Sequence, residues 1–372
     1  MLDILFPDGL PPSPIEQIRS KHLPILLYGM GNGAEKAASL MQSAGLDLDG
    51  VFASDGFRSG KSFLGHNVFP ASELAERYPA GFIALVTFGC PDGDMRMYLG
   101  RVKRAGGQIF MPHLPLFGGP VFCANSYNQH KEEIGEVYSL LSDERSKSIF
   151  RSLLRYFLTW NPEELFLCET NALLLPGALS GLSVKKAIDG GAYRGDSARE
   201  FFGFFPALKQ IVAFEPDPVN FSRLTETELP GVRLDALPYG LWSSPGNLSF
   251  SASHNRGAHF SPGYEKAPVT SIDATPQCSD ADLIKLDVEG CETEALTGAK
   301  ELICSRKPAL LLSVYHKTED FFRLPLMVAR YGGYRLHFLR EPVCPAWDIR
   351  LLAVPETEYQ HIFPFWMRRR DG

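Results

Sequence analysis

At 372 residues, with 45% apolar and 22% charged side chains, the chain has the composition of a globular protein with room for about two packed domains. Its 37 lysines and arginines stand against 43 acids, a net charge of −6, which disfavours a broad nucleic-acid surface because that needs clustered cations to displace phosphate counterions. No apolar run approaches the ~20 residues of a membrane span, and the N-terminus lacks the basic and apolar regions of a signal peptide.

Residues 1–20, with Pro7, Pro11, Pro12 and Pro14, read as an irregular arm. Residues 21–118 alternate short apolar runs with helical patterns, the signature of a parallel sheet. Their strands are Pro24–Tyr28, Leu48–Ala53 and Phe82–Thr87; their helices are Ala34–Ala44 and Met95–Ala105. Residues 119–182 read as a helical connector, with helices over Ile134–Leu141 and Ser146–Leu158 and a helix-start signal at Ser142-Asp143. A second α/β unit spans residues 183–355. Its strands are Lys185–Asp189, Gln210–Glu215, Val232–Leu237, Leu283–Asp287, Pro308–Tyr315, Tyr334–Leu339 and Asp348–Val354. The last two flank a turn-rich segment and pair antiparallel in this reading. Residues 356–372 form a tail, whose Arg368-Arg369-Arg370 reads as a solvated terminus. The expected fold class is α/β with two Rossmann-like domains, the second a seven-stranded sheet with an antiparallel terminal hairpin.

The seven cysteines are scattered and show no Cys-x-x-Cys spacing, so neither a disulfide framework nor a metal site is expected, and a cytoplasmic location fits.

In the second unit, Asp189-Gly190-Gly191-Ala192-Tyr193-Arg194-Gly195 places an acid at a strand end, then glycines, then a helix. Ligands of open α/β sheets bind beyond the carboxyl ends of the strands. A carboxylate there would repel a pyrophosphate but suits the ammonium of S-adenosylmethionine, so Asp189 is expected near that amine, directly or through water. The bland alternative is a tight turn capped by an acid. Glu215, 20 residues beyond Gly195 and followed by Pro216, is the strand-end carboxylate expected to accept the two hydrogens of a ribose diol. Asp235, Ala236 and Leu237 are adenine-pocket candidates by position alone.

The stretch Ile284-Lys285-Leu286-Asp287-Val288-Glu289-Gly290-Cys291-Glu292, running on to Leu296 and Gly298-Ala299, closely resembles the signature of FkbM-type methyltransferases. Val269–Asp273 resembles the strand before that signature, and Tyr315-His316-Lys317, Asp320 and Tyr334 resemble the later part of the family's domain. The resemblance covers about residues 183–355, and Asp189, Gly191, Gly195 and Glu215 fall on its cofactor positions. It implies a class I methyltransferase fold and methyl transfer from S-adenosylmethionine, typically to a hydroxyl oxygen of a small molecule or glycan. Gly190 departs from the family, whose members often carry Val or Ile there. Asp287-Val288-Glu289-Gly290 differs from the Asn/Asp-Pro-Pro-Tyr of base-nitrogen methyltransferases, which argues against a nucleic-acid substrate.

Three residues are catalytic candidates. Asp287 and Glu289 are expected to position acceptor or cofactor. His316, just after the fifth strand, is expected to be the base, since its ordinary pKa of ~6.5 suits proton abstraction near neutrality. The loop His254–His259 is either an acceptor-pocket wall or an exposed turn.

In the first unit, Gly29-Met30-Gly31-Asn32-Gly33-Ala34 fits Gly-x-Gly-x-x-Ala after a strand, with Asp55 at the end of the next strand. This resembles nucleotide-binding-type domains of sugar-modifying enzymes. Either the loop holds NAD, a nucleotide or a nucleotide-linked sugar, or the module has lost its ligand. Two rival functions follow: a nicotinamide- or nucleotide-sugar-dependent enzyme using the first domain, and a non-catalytic scaffold in a glycan pathway.

Overall fold

The structure, a computed structural model, describes residues 5–56, 62–117, 120–168, 170, 174–251, 259–260 and 265–358. The loop 252–258 and the Arg368–Arg370 tail lie outside these residues. The chain forms two compact units, one of residues 1–135, 147–170 and 340–347, the other of 136–146, 171–339 and 348–372. The expected connector is therefore not a separate body: its helices Ala124–Leu140 and Glu144–Thr159 are shared out between the two units.

The first unit carries five parallel strands. In spatial order they are His66–Pro70, Gly50–Ala53, Ile25–Tyr28, Phe82–Val86 and Gly107–Phe110, with Ser62–Phe63 antiparallel at the edge. The central three are wholly buried, which is why they read as unbroken apolar runs. Part of the supposed irregular arm is a helix, Pro14–Lys21, which starts on proline and buries Ile18. Proline suits that first position because the missing N–H has no helical partner there.

In the second unit the sheet strands are β1 (Lys186–Gly190), β2 (Gln210–Phe214), β3 (Arg233–Leu237), β4 (Leu283–Leu286), β5 (Ala309–Ser313), β6 (Tyr334–Arg340) and β7 (Ile349–Pro355). Their order is 3-2-1-4-5-7-6. The pairs β3–β2, β2–β1, β1–β4 and β4–β5 are parallel, and β7 runs antiparallel to β5. Ala187, Ile211, Leu283, Ala309 and Leu352, all at most 2% exposed, lie in one core cluster with Phe201 of the helix Asp196–Phe204 and Phe205 just after it. Between β3 and β4 the chain makes a small four-stranded sheet, Gly240–Leu241, Gly246–Ser251, His259–Phe260 and Glu265–Thr270. The edge strand β6 is covered by the segment 141–146: Leu336 N donates to Ser142 Oγ and Phe338 N to Ser146 Oγ, both at 3.0 Å. Such cover removes the unpaired edge that invites aggregation. Among the described residues no helix is long and apolar enough to cross a membrane, and all seven cysteines carry free thiols.

Candidate active site

A cleft opens at the carboxyl ends of β1, β2, β4 and β5, where open α/β sheets place their ligands. Its first wall is the turn after β1. Gly191 sits at φ +72°, and a Cβ there would lie 2.0 Å from the Asp287 carbonyl oxygen, so only glycine fits. Gly195, at φ +83°, leaves no room either, because a Cβ would approach Thr227 Oγ1 to 2.5 Å. At Gly190 a Cβ would meet Leu241 and Leu286 side-chain carbons at 2.7 and 2.9 Å. A larger residue at Gly190 would therefore require these neighbours to shift.

Asp189 does not itself line the cleft. It is fully buried beneath the turn, off the cleft wall, and accepts a hydrogen bond from Lys285 Nζ at 2.9 Å. Lys285, one strand away, reaches the cleft in its stead.

Glu215 stands at the end of β2 and lines the cleft with Pro216. Its Oε2 accepts from Tyr193 N and its Oε1 from Asp217 N, both at 2.9 Å. These bonds fix the carboxylate while leaving lone pairs toward the cleft, as a ribose diol requires. Burial pushes its pKa up to about 7, against the lowering effect of the two backbone donors. Asp217 caps the next helix through Val219 N and Asn220 N.

The adenine side differs from expectation. Asp235 accepts from Gln210 and Arg233, and neither Asp235 nor Ala236 lines the cleft. Tyr239, Gly240 and Leu241, just beyond the strand, do so instead. A half-exposed aromatic ring such as Tyr239 offers a stacking face to a base.

Across the cleft, the turn after β4 presents Asp287 and Glu289. Behind them lies His316, fully buried and off the cleft wall. Its Nδ1 is 2.8 Å from Glu292 Oε1, and its Nε2 is 3.4 Å from Asp287 Oδ1 and 3.3 Å from Glu289 Oε2. Burial disfavours its charged form, but the charge and hydrogen bond of Glu292, with Asp287 and Glu289, outweigh this and raise its pKa to about 10. These three carboxylates favour the imidazolium form of His316, which weakens it as an acceptor of a substrate proton. Burial also opposes ionisation of Asp287, yet Lys285, His316 and Arg350 hold its carboxyl well below the usual range. Glu289 goes the other way: burial, helped by Asp287 and Glu292 and opposed by His316, pushes it up to about 8. Ligand atoms of Asp287, Glu292 and His316 lie within 4.8 Å of one another, a spacing that admits a cation; the imidazolium form of His316 itself supplies positive charge there.

Two further observations mark this cleft. Of seven non-glycine residues at positive φ among the described residues, Tyr193, Glu289 and Asp348 line it, and such strain concentrates at functional sites. Six lining carboxylates, of Asp196, Glu200, Glu215, Asp287, Glu289 and Asp348, face two lining cations, Lys285 and Arg350. That excess suits a positively charged ligand.

The first unit's candidate loop is built differently. Gly31 precedes the helix Asn32–Ser43, which buries Ala34. A Cβ on Gly29 would lie 2.8 Å from Thr87 Oγ1, and one on Gly33 would lie 2.4 Å from the Thr87 carbonyl oxygen, so these glycines serve close packing against the residue that follows the neighbouring strand Phe82–Val86. Asp55 Oδ1 accepts from Ser72 N at 3.0 Å, capping a short helical turn. The expectation of NAD or a nucleotide in this unit finds no support in that arrangement.

The family model of the methyltransferase FkbM domain matches residues 189–336. The hexuronic acid methyltransferase AglP of Haloferax volcanii is 34% identical over 97 residues, 24% of this chain, and the chain spans 40% of that relative's length. The crystal structure of a methyltransferase FkbM from Methylobacillus flagellatus KT aligns with a TM-score of 0.69 at 19% identity, over 93% of this chain and 94% of that one. At that identity the likeness is one of fold. The glycine turn and the strand-end acids Glu215 and Asp287 thus fall within residues 189–336, the stretch that is similar to the methyltransferase FkbM domain.

Proposed function

We propose that the protein transfers a methyl group from S-adenosylmethionine to a hydroxyl of a sugar, a glycan or another small hydroxylated metabolite. The observation that carries this reading is the pairing, across one cleft, of the Glu215–glycine turn with the Asp287–Glu289 turn. The first has the shape and hydrogen-bonding capacity for a nucleoside. The second faces it with two carboxylates of unequal basicity. The Haloferax relative's name supports a sugar acceptor. Acids interleaved with Arg350 and Tyr315 on the cleft wall also suit a polyol.

When bound, the methyl donor supplies an electrophilic carbon on a positively charged sulfur. The chain's own residues must then hold the acceptor oxygen in line at ~3–3.5 Å and take its proton. Glu289, not His316, does the latter in this proposal. It faces the cleft and its pKa lies near working pH, whereas His316 is buried and favoured in its imidazolium form. Asp287, ionised throughout, orients the hydroxyl. The Glu215 and glycine turns would hold that donor, which would supply the methyl group, while Asp287 would orient the acceptor hydroxyl and Glu289 would take its proton.

The test is calorimetry with S-adenosylmethionine and NAD, followed by mass spectrometry of a panel of sugars and uronic acids incubated with enzyme and donor. Donor binding and a product gaining one methyl group are expected. Binding of NAD in place of the donor refutes the proposal.

A further inference from the structure

We propose that Lys285 is a positioning residue that locks the donor-binding turn to the acceptor-side turn, so that the two halves of the reaction are held in one register. The proposal rests on the methyl-donor reading of the cleft. Lys285 sits in the middle of β4, within an otherwise apolar Leu-Ile-Lys-Leu strand, directly opposite Asp189 of β1. It is 3% exposed. Its ammonium donates to Asp189 Oδ1 at 2.9 Å, to the Gly191 carbonyl at 2.9 Å and to the Gly190 carbonyl at 3.3 Å. Three protons meet three oxygens, so the group is fully used in gripping the turn.

A lysine at a core strand position is rare unless it is paired. The pair here is not an optimised structural one, because Asp189 Oδ2 is buried and takes no hydrogen bond among the described residues. An apolar pair would fill the same place with less desolvation. What the ammonium adds is control of two carbonyls. The Gly190 oxygen also accepts from Asp287 N at 3.1 Å, so Lys285 and the Asp287 peptide converge on one atom. The Asp287 carbonyl in turn presses against Gly191 where a Cβ would be. Donor turn and acceptor turn are thus cross-braced, with Lys285 as the brace. Asp189 then acts on the donor through Lys285 rather than by touching it.

The experiment compares wild type, Lys285→Met and the double variant Asp189→Asn/Lys285→Met, which leaves no buried charge unpaired and so guards against loss of folding. Donor affinity is measured by calorimetry, turnover and acceptor KM by product formation, and Tm by scanning calorimetry. Asp143→Ala, on the covered edge of β6, serves as the control for destabilisation alone. Folded single or double variants are expected to lose donor affinity by about 10- to 100-fold, as for charge-assisted hydrogen bonds. Their kcat should fall further, with acceptor KM little changed, while Asp143→Ala lowers Tm and leaves donor affinity intact. Wild-type donor affinity and kcat in the folded double variant overturn the proposal, as does a loss no larger than that of Asp143→Ala. Failure of the wild type to bind donor refutes the methyl-donor reading itself and is seen before any variant is made.

Discussion

Glu289 Oε2 lies 3.3 Å from His316 Nε2, and of the two only the glutamate reaches the cleft. The proton-accepting role proposed for Glu289 rests on that geometry. Burial, reinforced by the Asp287 and Glu292 carboxylates, holds Glu289 at about 8 despite the His316 charge. A base must be deprotonated to act, so kcat/KM for the acceptor should rise with pH through a midpoint near 8. Glu289→Gln should lower kcat by ~10²–10⁴-fold and erase that limb, with donor affinity retained. The check is a pH–rate profile of both proteins; a limb that persists in the variant assigns the base elsewhere.

In the proposed function Glu215 should govern donor binding, in a different pH range. Its pKa is pushed up to about 7, burial outweighing the Asp217 and Tyr193 backbone donors. Only the ionised carboxylate accepts two strong hydrogen bonds from a diol, so donor affinity should increase as pH rises through about 7. Glu215→Gln removes the charge and keeps the shape. It should cost ~1.5–3 kcal/mol of binding at high pH and flatten the dependence. Titration calorimetry at several pH values decides; an equally steep dependence in the variant would clear Glu215 of the effect.

His316 is better tested through stability than through catalysis. Its imidazolium lies among Glu292, Asp287 and Glu289. Replacing it by glutamine leaves buried carboxylates without their cation, at a cost of about 3–5 kcal/mol. The folded pKa is raised to about 10, above the unfolded ~6.5, so this stabilisation is complete below about pH 6.5 and fades as pH climbs toward 10. Glu289, also raised, acts in the same direction. Tm of the wild type should therefore fall on the alkaline side, and the gap to His316→Gln should narrow there. A gap that widens with pH contradicts the imidazolium assignment.

Much of this fold is legible in the sequence because buried parallel strands read as unbroken apolar runs and glycine marks the turns between strand and helix. The tight turn at Gly191 and the strand-end position of Glu215 were legible for that reason. The burial of Asp189 against Lys285 was not legible because that partner is set by strand register: Lys285 stands opposite it only once β1 and β4 pair. A signal was present, since a lysine inside Leu283–Leu286 demands a buried anion. His316 shows the limit of motif reading. Its residue type suits a base, but access to substrate is a property of packing. Asp235 and Ala236 were chosen by position, and the chain reaches the cleft only a few residues later, at Tyr239. In the first unit the Gly-x-Gly pattern was real, yet Thr87 sits against it, and a glycine pattern cannot distinguish room for a ligand from room for a neighbouring strand.

Asp143 offers the last prediction, away from the cleft. Its Oδ1 accepts from Ser146 N at 2.8 Å, capping a helix, and its Oδ2 lies 2.7 Å from His337 Nδ1 on edge strand β6. The Ser142 and Ser146 hydroxyls beside it accept backbone N–H groups of that strand. One carboxylate thus holds the cover over the sheet edge. Burial works against its charge, but the His337 and Ser146 bonds win and lower its pKa. A depressed folded pKa means that its stabilisation is present above the unfolded value of ~3.9 and is lost as pH falls through the folded one. Asp143→Ala removes the cap, worth about 0.5–2 kcal/mol, together with the bond to His337. Tm should drop at neutral pH by an amount that shrinks in acid, and the exposed edge of β6 should raise the tendency to aggregate. Thermal melts of both proteins from neutral to acidic pH, with light scattering, provide the measurement. A Tm difference that stays constant down to about pH 3 would show that the charge of Asp143 contributes nothing and that the hydroxyls alone hold the edge.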